Sequence, residues 1–468
     1  MSKIFIWLYL SSLLLIACLS ACVNSEPFTN KGMLDDHMKR GYQWIRSRPF
    51  TLTSLVLKHE TYDANVYSAC NLNAALLWKP EIELFKETVR AGLPWHGHAK
   101  SRRFYGNEGA DRFDEEMQSH MKQLVNDYPG CEAWLVWDEP EREEIKLAGQ
   151  IAKWVRETWP NMLVYTDANP GGHEEFRGEE PENGYYYTQY LRDITETIKP
   201  DVLMVDFYPF FKEPWGDRIP YFRFLCEQIR NAALEADVPY WMFIQAYSED
   251  TVGNTNNRRY PSESDLRLQV FTTLAYGFTG LSYFIYSPAF ERSILNEDGS
   301  PTRLYYDIAR VNTEVLNIGQ TLRFLRSTGV QIVAGHHTAN GTMTNNKPGA
   351  HDILWEPGAG LDYGIQHIEV TEHGPGRDAL IGFFEDDDNQ NYFMLVNLWH
   401  GPGAPASDKT TTFKIHLTPG INQIKRLSRE TGQVDILNAT DGVIFVTLPG
   451  GTGDLFKCNA GAFAGLSQ

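Results

Sequence analysis

Two adjacent acids close an apolar run at Trp134-Leu135-Val136-Trp137-Asp138-Glu139-Pro140. A carboxyl group on the last residues of such a run is poorly solvated, and poor solvation favours the protonated form, the one that can give up a proton. The spacing also allows a plain structural role. In that role Asp138 caps the next helix, Pro140 fills its first position, and Glu141, Glu143 and Glu144 complement its dipole. Capping accounts for Asp138 better than for Glu139, because strict alternation puts Glu139 in register with Leu135 and Trp137, facing inward over aromatic rings. Glu139 is therefore the expected general acid. Other acids end similar runs: Asp206 in Val205-Asp206-Phe207-Tyr208, Asp167 in Tyr165-Thr166-Asp167-Ala168-Asn169, and Glu249 just beyond Tyr247. Asp206 is the preferred second carboxylate, since alternation places it with Met204 and Tyr208 on one face.

The elements that must position these groups follow from periodicity. Short runs that are apolar on both faces, Leu72–Trp78, Ala133–Trp137, Met162–Tyr165, Val202–Val205, Tyr240–Ile244 and Leu281–Tyr286, alternate with longer helical patterns. Strands buried from both sides and separated by helices form a parallel sheet. Leu266, Val270 and Leu274, and likewise Phe222, Leu225, Ile229 and Ala232, give each helix one apolar stripe. The expected strand ends Glu139, Asn169, Tyr208, Tyr247 and Ser287 are 30, 39, 39 and 40 residues apart, room for one helix and two loops each. The simplest architecture with that rhythm is a (β/α)8 TIM barrel, here over residues 40–330, with an open doubly wound sheet as the alternative. Its first strand lies in Tyr42–Arg46 or in Thr51–Leu57. Catalytic groups of such barrels gather at the carboxyl ends of the strands.

After Arg326 the helical signal stops. Leu380–Glu385, Tyr392–Leu398, Phe413–Leu417 and Val443–Leu448 alternate with period two, and Asp386–Asn391 reads as a hairpin loop. Residues 331–468 are expected to form a C-terminal antiparallel β-sandwich domain.

Three segments carry a resemblance. Asp138-Glu139-Pro140 is similar to the strand-four triplet of the barrel glycoside hydrolases of the β-galactosidase type, in which the acid/base glutamate follows an asparagine and precedes a proline. The run Leu274–Phe284 resembles their turn into strand eight, and Leu448–Phe456 resembles the closing strand of their accessory β domain. The resemblance spans roughly residues 70–460 as an order of elements. It implies hydrolysis of a glycosidic bond in a poly- or oligosaccharide, with Trp78, Tyr208 and Tyr286 as stacking faces and with His98, Asp138, Asp167, Asn169 and Gln245 as further substrate contacts. Any of these aromatic residues is equally at home in a core.

One departure matters. Those enzymes carry a nucleophilic glutamate at the end of strand seven, where Trp241–Tyr247 offers Gln245, and a neutral amide forms no glycosyl ester. Another carboxylate acts instead, or the substrate supplies its own nucleophile, or the barrel binds sugar without cleaving it. The second option has its own resemblance, since an adjacent Asp-Glu pair at strand four is similar to that of the substrate-assisted hexosaminidases. His96-Gly97-His98 is similar to the HxH of metal-dependent hydrolase barrels, yet between His120 and His336 the only other histidine is His173, so no metal and no cofactor are expected.

The chain has 468 residues, with 42 Lys and Arg against 60 Asp and Glu, a net charge of −18 that makes nucleic acid an unsuitable partner. Local Arg102, Arg103, Arg258 or Arg259 can still pair with anionic groups on a glycan. Lys3 and the apolar run to Leu19 read as a secretory signal, and Leu19-Ser20-Ala21-Cys22 resembles a bacterial lipobox, with a second frame ending at Cys18. Removal of residues 1–21 would leave Cys22 to carry the lipid and hold the protein to a membrane, the outer membrane or cell surface. Cys70, Cys131, Cys226 and Cys458 are scattered singly, without metal-ligand spacing, and read mostly as buried thiols. The sequence carries no signal for an oligomeric state.

Overall fold

The structure, a computed structural model, describes residues 39–99, 113–171, 186–250, 257–339, 342–345, 348–458 and 461–466. The signal segment with Cys18 and Cys22, Arg102, Arg103 and His173 lie outside the described residues. Lys39–Gln468 forms one compact unit. No helix among the described residues is long and apolar enough to cross a membrane.

Eight parallel strands close into a barrel: β1 (Thr51–Val56), β2 (Ala74–Leu77), β3 (Trp95–His98), β4 (Cys131–Asp138), β5 (Leu163–Ala168), β6 (Val202–Asp206), β7 (Tyr240–Gln245) and β8 (Gly280–Phe284). β1 pairs with both β2 and β8, which completes the ring. The helices are α1 (Arg40–Arg46) before β1, then α2 (Ala64–Ala69), α3 (Ile82–Arg90), α4 (Glu115–Asp127), α5 (Ile145–Thr158), α6 (Tyr187–Asp193), α7 (Ile219–Ala236), α8 (Glu263–Ala275) and α9 (Arg303–Leu322). The first strand is therefore the run at Thr51, and the alternative run at Tyr42 is helical.

Alternate strand residues divide between two cores. Leu52, Val136, Val164, Leu203, Val205, Met242, Ile244 and Leu281 pack outward against helix residues such as Ile151, Val155, Leu225 and Ile229. The other set fills the bore. His96 of β3, Tyr165 of β5 and Trp241 of β7 belong to strands that are not neighbours, yet their ring centroids lie 5.3–6.1 Å apart, so the rings meet inside the cylinder. Trp44 of α1 stands 6.3 Å from His96 and 6.0 Å from Trp241, and it closes the floor of the barrel. The glycine between the two histidines is a packing requirement, because a Cβ at Gly97 would lie 2.4 Å from the Trp134 ring. Burial pushes His96 down to about 3, so its imidazole is neutral.

Beyond the barrel come β9 (Arg326–Val333), the hairpin β10 (His336–Ala339) and β11 (Thr342–Asn345), β12 (Ile365–Val370), β13 (Ala379–Glu385), β14 (Asn391–Asn397), β15 (Thr411–Leu417), β16 (Gln423–Leu427), β17 (Val434–Asn438), β18 (Val443–Leu448) and β19 (Gly453–Lys457). One antiparallel sheet runs β17-β16-β19-β14-β13-β9 and a second runs β12-β15-β18. Ile381, Phe383, Phe393 and Leu395 of the first meet Ile368, Phe413, Ile415 and Val446 of the second in a separate core, as in a two-layer sandwich. The larger sheet lies on α8, whose residues 264–275 are all buried. Contact there is close enough that a Cβ at Gly382 would sit 2.0 Å from the Ala275 carbonyl oxygen.

Candidate active site

The apolar strand β4 reaches its acids through a bulge. Its register with β5 shifts between Leu135 and Trp137, and Trp137 turns into the outer core, its indole N–H donating to Glu144 at 3.1 Å. The expected alternation therefore fails at this point, and Trp137 is not the floor beneath Glu139. Asp138 now pairs with Asp167 of β5, and Glu139 follows at φ 49°, its amide donating to the Asp167 carbonyl at 3.0 Å. A left-handed non-glycine residue costs roughly 1–3 kcal/mol and persists only where its surroundings enforce it. The capping role is corrected too: Asp138 ends the strand, while α5 starts at Ile145 with Glu144 as its N-cap.

Four carboxyl groups, from Asp138, Glu139, Asp167 and Asp206, come within electrostatic reach of one another at the carboxyl ends of β4, β5 and β6. Asp206 lies close enough to Glu139 and to the Tyr208 hydroxyl for both to act on its proton affinity. Burial first, and then the charges of Glu139 and Asp138, push Asp206 well above the usual carboxylate range, with the Tyr208 hydroxyl acting in the opposite sense. Asp167 is only 1% exposed and is raised by burial and by the charges of Asp206, Asp138 and Glu139. One oxygen of Asp167 and one of Asp206 have no hydrogen-bond partner among the described residues. Carboxyl groups gathered in a buried place cannot all ionise cheaply, which is why Asp167 and Asp206 both hold their protons more tightly than usual.

Aromatic residues stand at the carboxyl ends of other strands, and Tyr208 acts on Asp206 directly. Trp78, half-buried after β2, stacks on His98 at a centroid distance of 3.9 Å. Tyr208 stacks on Phe284 and meets Tyr247 edge-on, both at 5.2 Å, and Tyr247 continues to the exposed Phe290 at 4.7 Å.

Several expected contacts are not brought into this group. Gln245 is fully buried. Its Oε1 accepts the Phe210 N–H at 3.0 Å, and its Nε2 donates to the carbonyls of Arg259 at 2.9 Å, Phe210 at 3.3 Å and Tyr247 at 3.4 Å, so the amide ties loops together and has no capacity left for a sugar. Tyr286 is fully buried against Tyr62 and Tyr67 and presents no stacking face. The Asn169 side-chain oxygen accepts the Gly171 N–H at 3.0 Å, which makes that residue part of a turn. Glu249 is ion-paired with Arg258 at 2.8 Å, which engages its carboxylate. Asp217, Asp265 and His400 are close enough to hold a cation, but the Arg259 guanidinium is bonded to both carboxylates and neutralises the cluster.

Residues that sequence reasoning missed include Phe284, Phe290 and three tyrosines that clamp the loops after β4 and β5. The Tyr190 hydroxyl accepts the Asn169 N–H at 3.0 Å and donates to the Pro140 carbonyl at 2.9 Å. Tyr187 donates to the Asn169 carbonyl at 2.9 Å, and Tyr221 to the Pro170 carbonyl at 2.8 Å. The spacing of Tyr187 and Tyr190, three apart on a helix, was the available signal.

Fold and site together define a closed (β/α)8 barrel with an acid-lined mouth and a C-terminal sandwich. No family model matches the sequence, and no curated protein matches it. Among solved structures it is similar to a GH42 beta-galactosidase from G. stearothermophilus, with TM-score 0.48, 8% identity, and coverage of 86% of this chain and 98% of that one. It is also similar to an endo-beta-1,4-mannanase from Thermotoga petrophila, with TM-score 0.41, 12% identity, and coverage of 86% and 98%. A GH30 endoxylanase from Clostridium papyrosolvens has TM-score 0.39, 13% identity, and coverage of 87% and 95%.

Proposed function

We propose that the protein is an exported, lipid-anchored glycoside hydrolase in which Glu139 protonates the leaving glycosidic oxygen. The observation that carries this reading is the gathering of Glu139, Asp206, Asp138 and Asp167 at the carboxyl ends of the barrel strands, with the Tyr208 ring beside Asp206. A retaining pair of carboxylates stands about 5–5.5 Å apart across the sugar. Asp206 is within electrostatic reach of Glu139, and a carboxyl with raised proton affinity is a poor nucleophile, so Asp206 is assigned to holding and returning the proton rather than to attacking the sugar.

The second negative charge then comes from Asp138 or Asp167, or from the substrate. Two observations favour the substrate-assisted version: the Asp138-Glu139 adjacency and the withdrawal of Gln245 into the loops. In that version Asp138 orients an acetamido group on the sugar, and cleavage is confined to acetamido sugars.

The test is a reducing-sugar screen over diverse polysaccharides, acetamido glycans included, with the wild type and Glu139→Gln. General acid catalysis is worth about 10²–10⁴-fold, and a loss of that size is the expected result on the substrate that is cleaved. Equal rates in the two proteins remove Glu139 from the chemistry. Glycan binding with no cleavage of any polysaccharide establishes a surface binding protein instead.

A further inference from the structure

We propose that Tyr190 is a positioning residue for proton transfer, acting through the main chain that carries Glu139. The proposal rests on Glu139 being the proton donor. Glu139 sits in the left-handed region, a conformation its own side chain does not favour, so neighbouring bonds must hold it. On one side, its amide is fixed to the Asp167 carbonyl. On the other, the carbonyl of the next residue, Pro140, accepts from the Tyr190 hydroxyl, and the same oxygen accepts the Asn169 N–H.

Tyr190 therefore joins the ends of β4 and β5, the two strands that deliver Asp138, Glu139 and Asp167. Its ring is 1% exposed on α6 and stacks on Tyr187 at 5.9 Å, so the hydroxyl has little freedom to move. Tyr221 bonds the same β5 loop at Pro170 but not the β4 side, which makes it the natural comparison. Proton transfer depends steeply on donor placement, whereas departure of a leaving group that is already a weak base needs no proton.

The experiment compares Tyr190→Phe, Tyr221→Phe, Glu139→Gln and wild type on two glycosides of the sugar selected by the polysaccharide screen, one with a phenyl and one with a dinitrophenyl leaving group. Melting temperatures are recorded alongside, and assays are run well below them. Tyr190→Phe should lose about tenfold or more in kcat on the phenyl glycoside, and stay within about twofold on the dinitrophenyl glycoside. Glu139→Gln should show the same selectivity in stronger form. Tyr221→Phe should lower the melting temperature without changing the ratio of the two rates. Equal losses on both substrates for Tyr190→Phe, or no loss on either, overturn the positioning role. If Glu139→Gln itself shows no selectivity between the leaving groups, the failure lies in the assignment of Glu139, and the Tyr190 proposal falls with it.

Discussion

Asp167 carries a buried carboxyl whose ionisation is opposed both by burial and by Asp206, Asp138 and Glu139, and this fixes a measurable sign. A carboxyl with raised proton affinity in the folded state adds stability that is complete at low pH and is lost as pH rises through its folded pKa. Asp167→Asn removes that loss. The melting temperature of the variant minus that of the wild type should therefore increase steadily from acid to alkaline buffer, as followed by circular dichroism. A flat or falling difference would show that Asp167 is ionised at little cost. This residue was legible in the sequence because an acid at the end of an apolar run is easy to see, and the same holds for Asp138, Glu139 and Asp206. Alternation gives the face of a residue, not the appetite of its neighbours. Nothing at position 286 announced that Tyr62 and Tyr67 would enclose the Tyr286 ring, nor at 169 that Asn169 would serve a turn.

Among the elements, the loops after β6 and β7 depend on one side chain. Gln245 bonds the main chain of Phe210, Tyr247 and Arg259, while its own amide is held by Gln269 of α8 at 2.9 Å. Gln245→Glu would not restore a strand-seven nucleophile. It would press a carboxylate against three carbonyl oxygens, at a cost of about 3 kcal/mol or more. The expected outcome is a lower denaturant midpoint at neutral pH with no new activity, and a variant as stable as wild type would show that these bonds are dispensable. The strands themselves could be read from their apolar runs, and α8 from Leu266, Val270 and Leu274. Hidden from the sequence were the bulge in β4, which redirects Trp137, and the burial of the polar side of α8. Gln269 looks like a surface residue until its amide is found bonded to the main chain of β7 and of Phe207.

For the whole molecule, barrel and sandwich join through charge as well as close packing. Arg267 of α8 pairs with Glu314 of α9 at 2.8 Å, Glu314 with Arg429 at 3.2 Å, and Arg429 with Asp454 of β19. The period-two tail showed a sandwich, but its docking on α8 depends on Gly382 and on ion pairs between residues more than 100 positions apart, which local periodicity does not encode. The proposed anchor belongs to this scale. Cys22→Ala should shift the protein from the membrane fraction to the soluble fraction of cells without altering the catalytic rate of the purified protein, and continued membrane association would refute Cys22 as the lipid carrier. The plug formed by Trp44, His96, Tyr165 and Trp241 leaves the cylinder a single entrance. Under the proposed function, a long glycan could therefore not be drawn through the axis from end to end. It would have to lie across the rim, and both fragments of a cleaved chain would depart by the side from which the intact chain arrived.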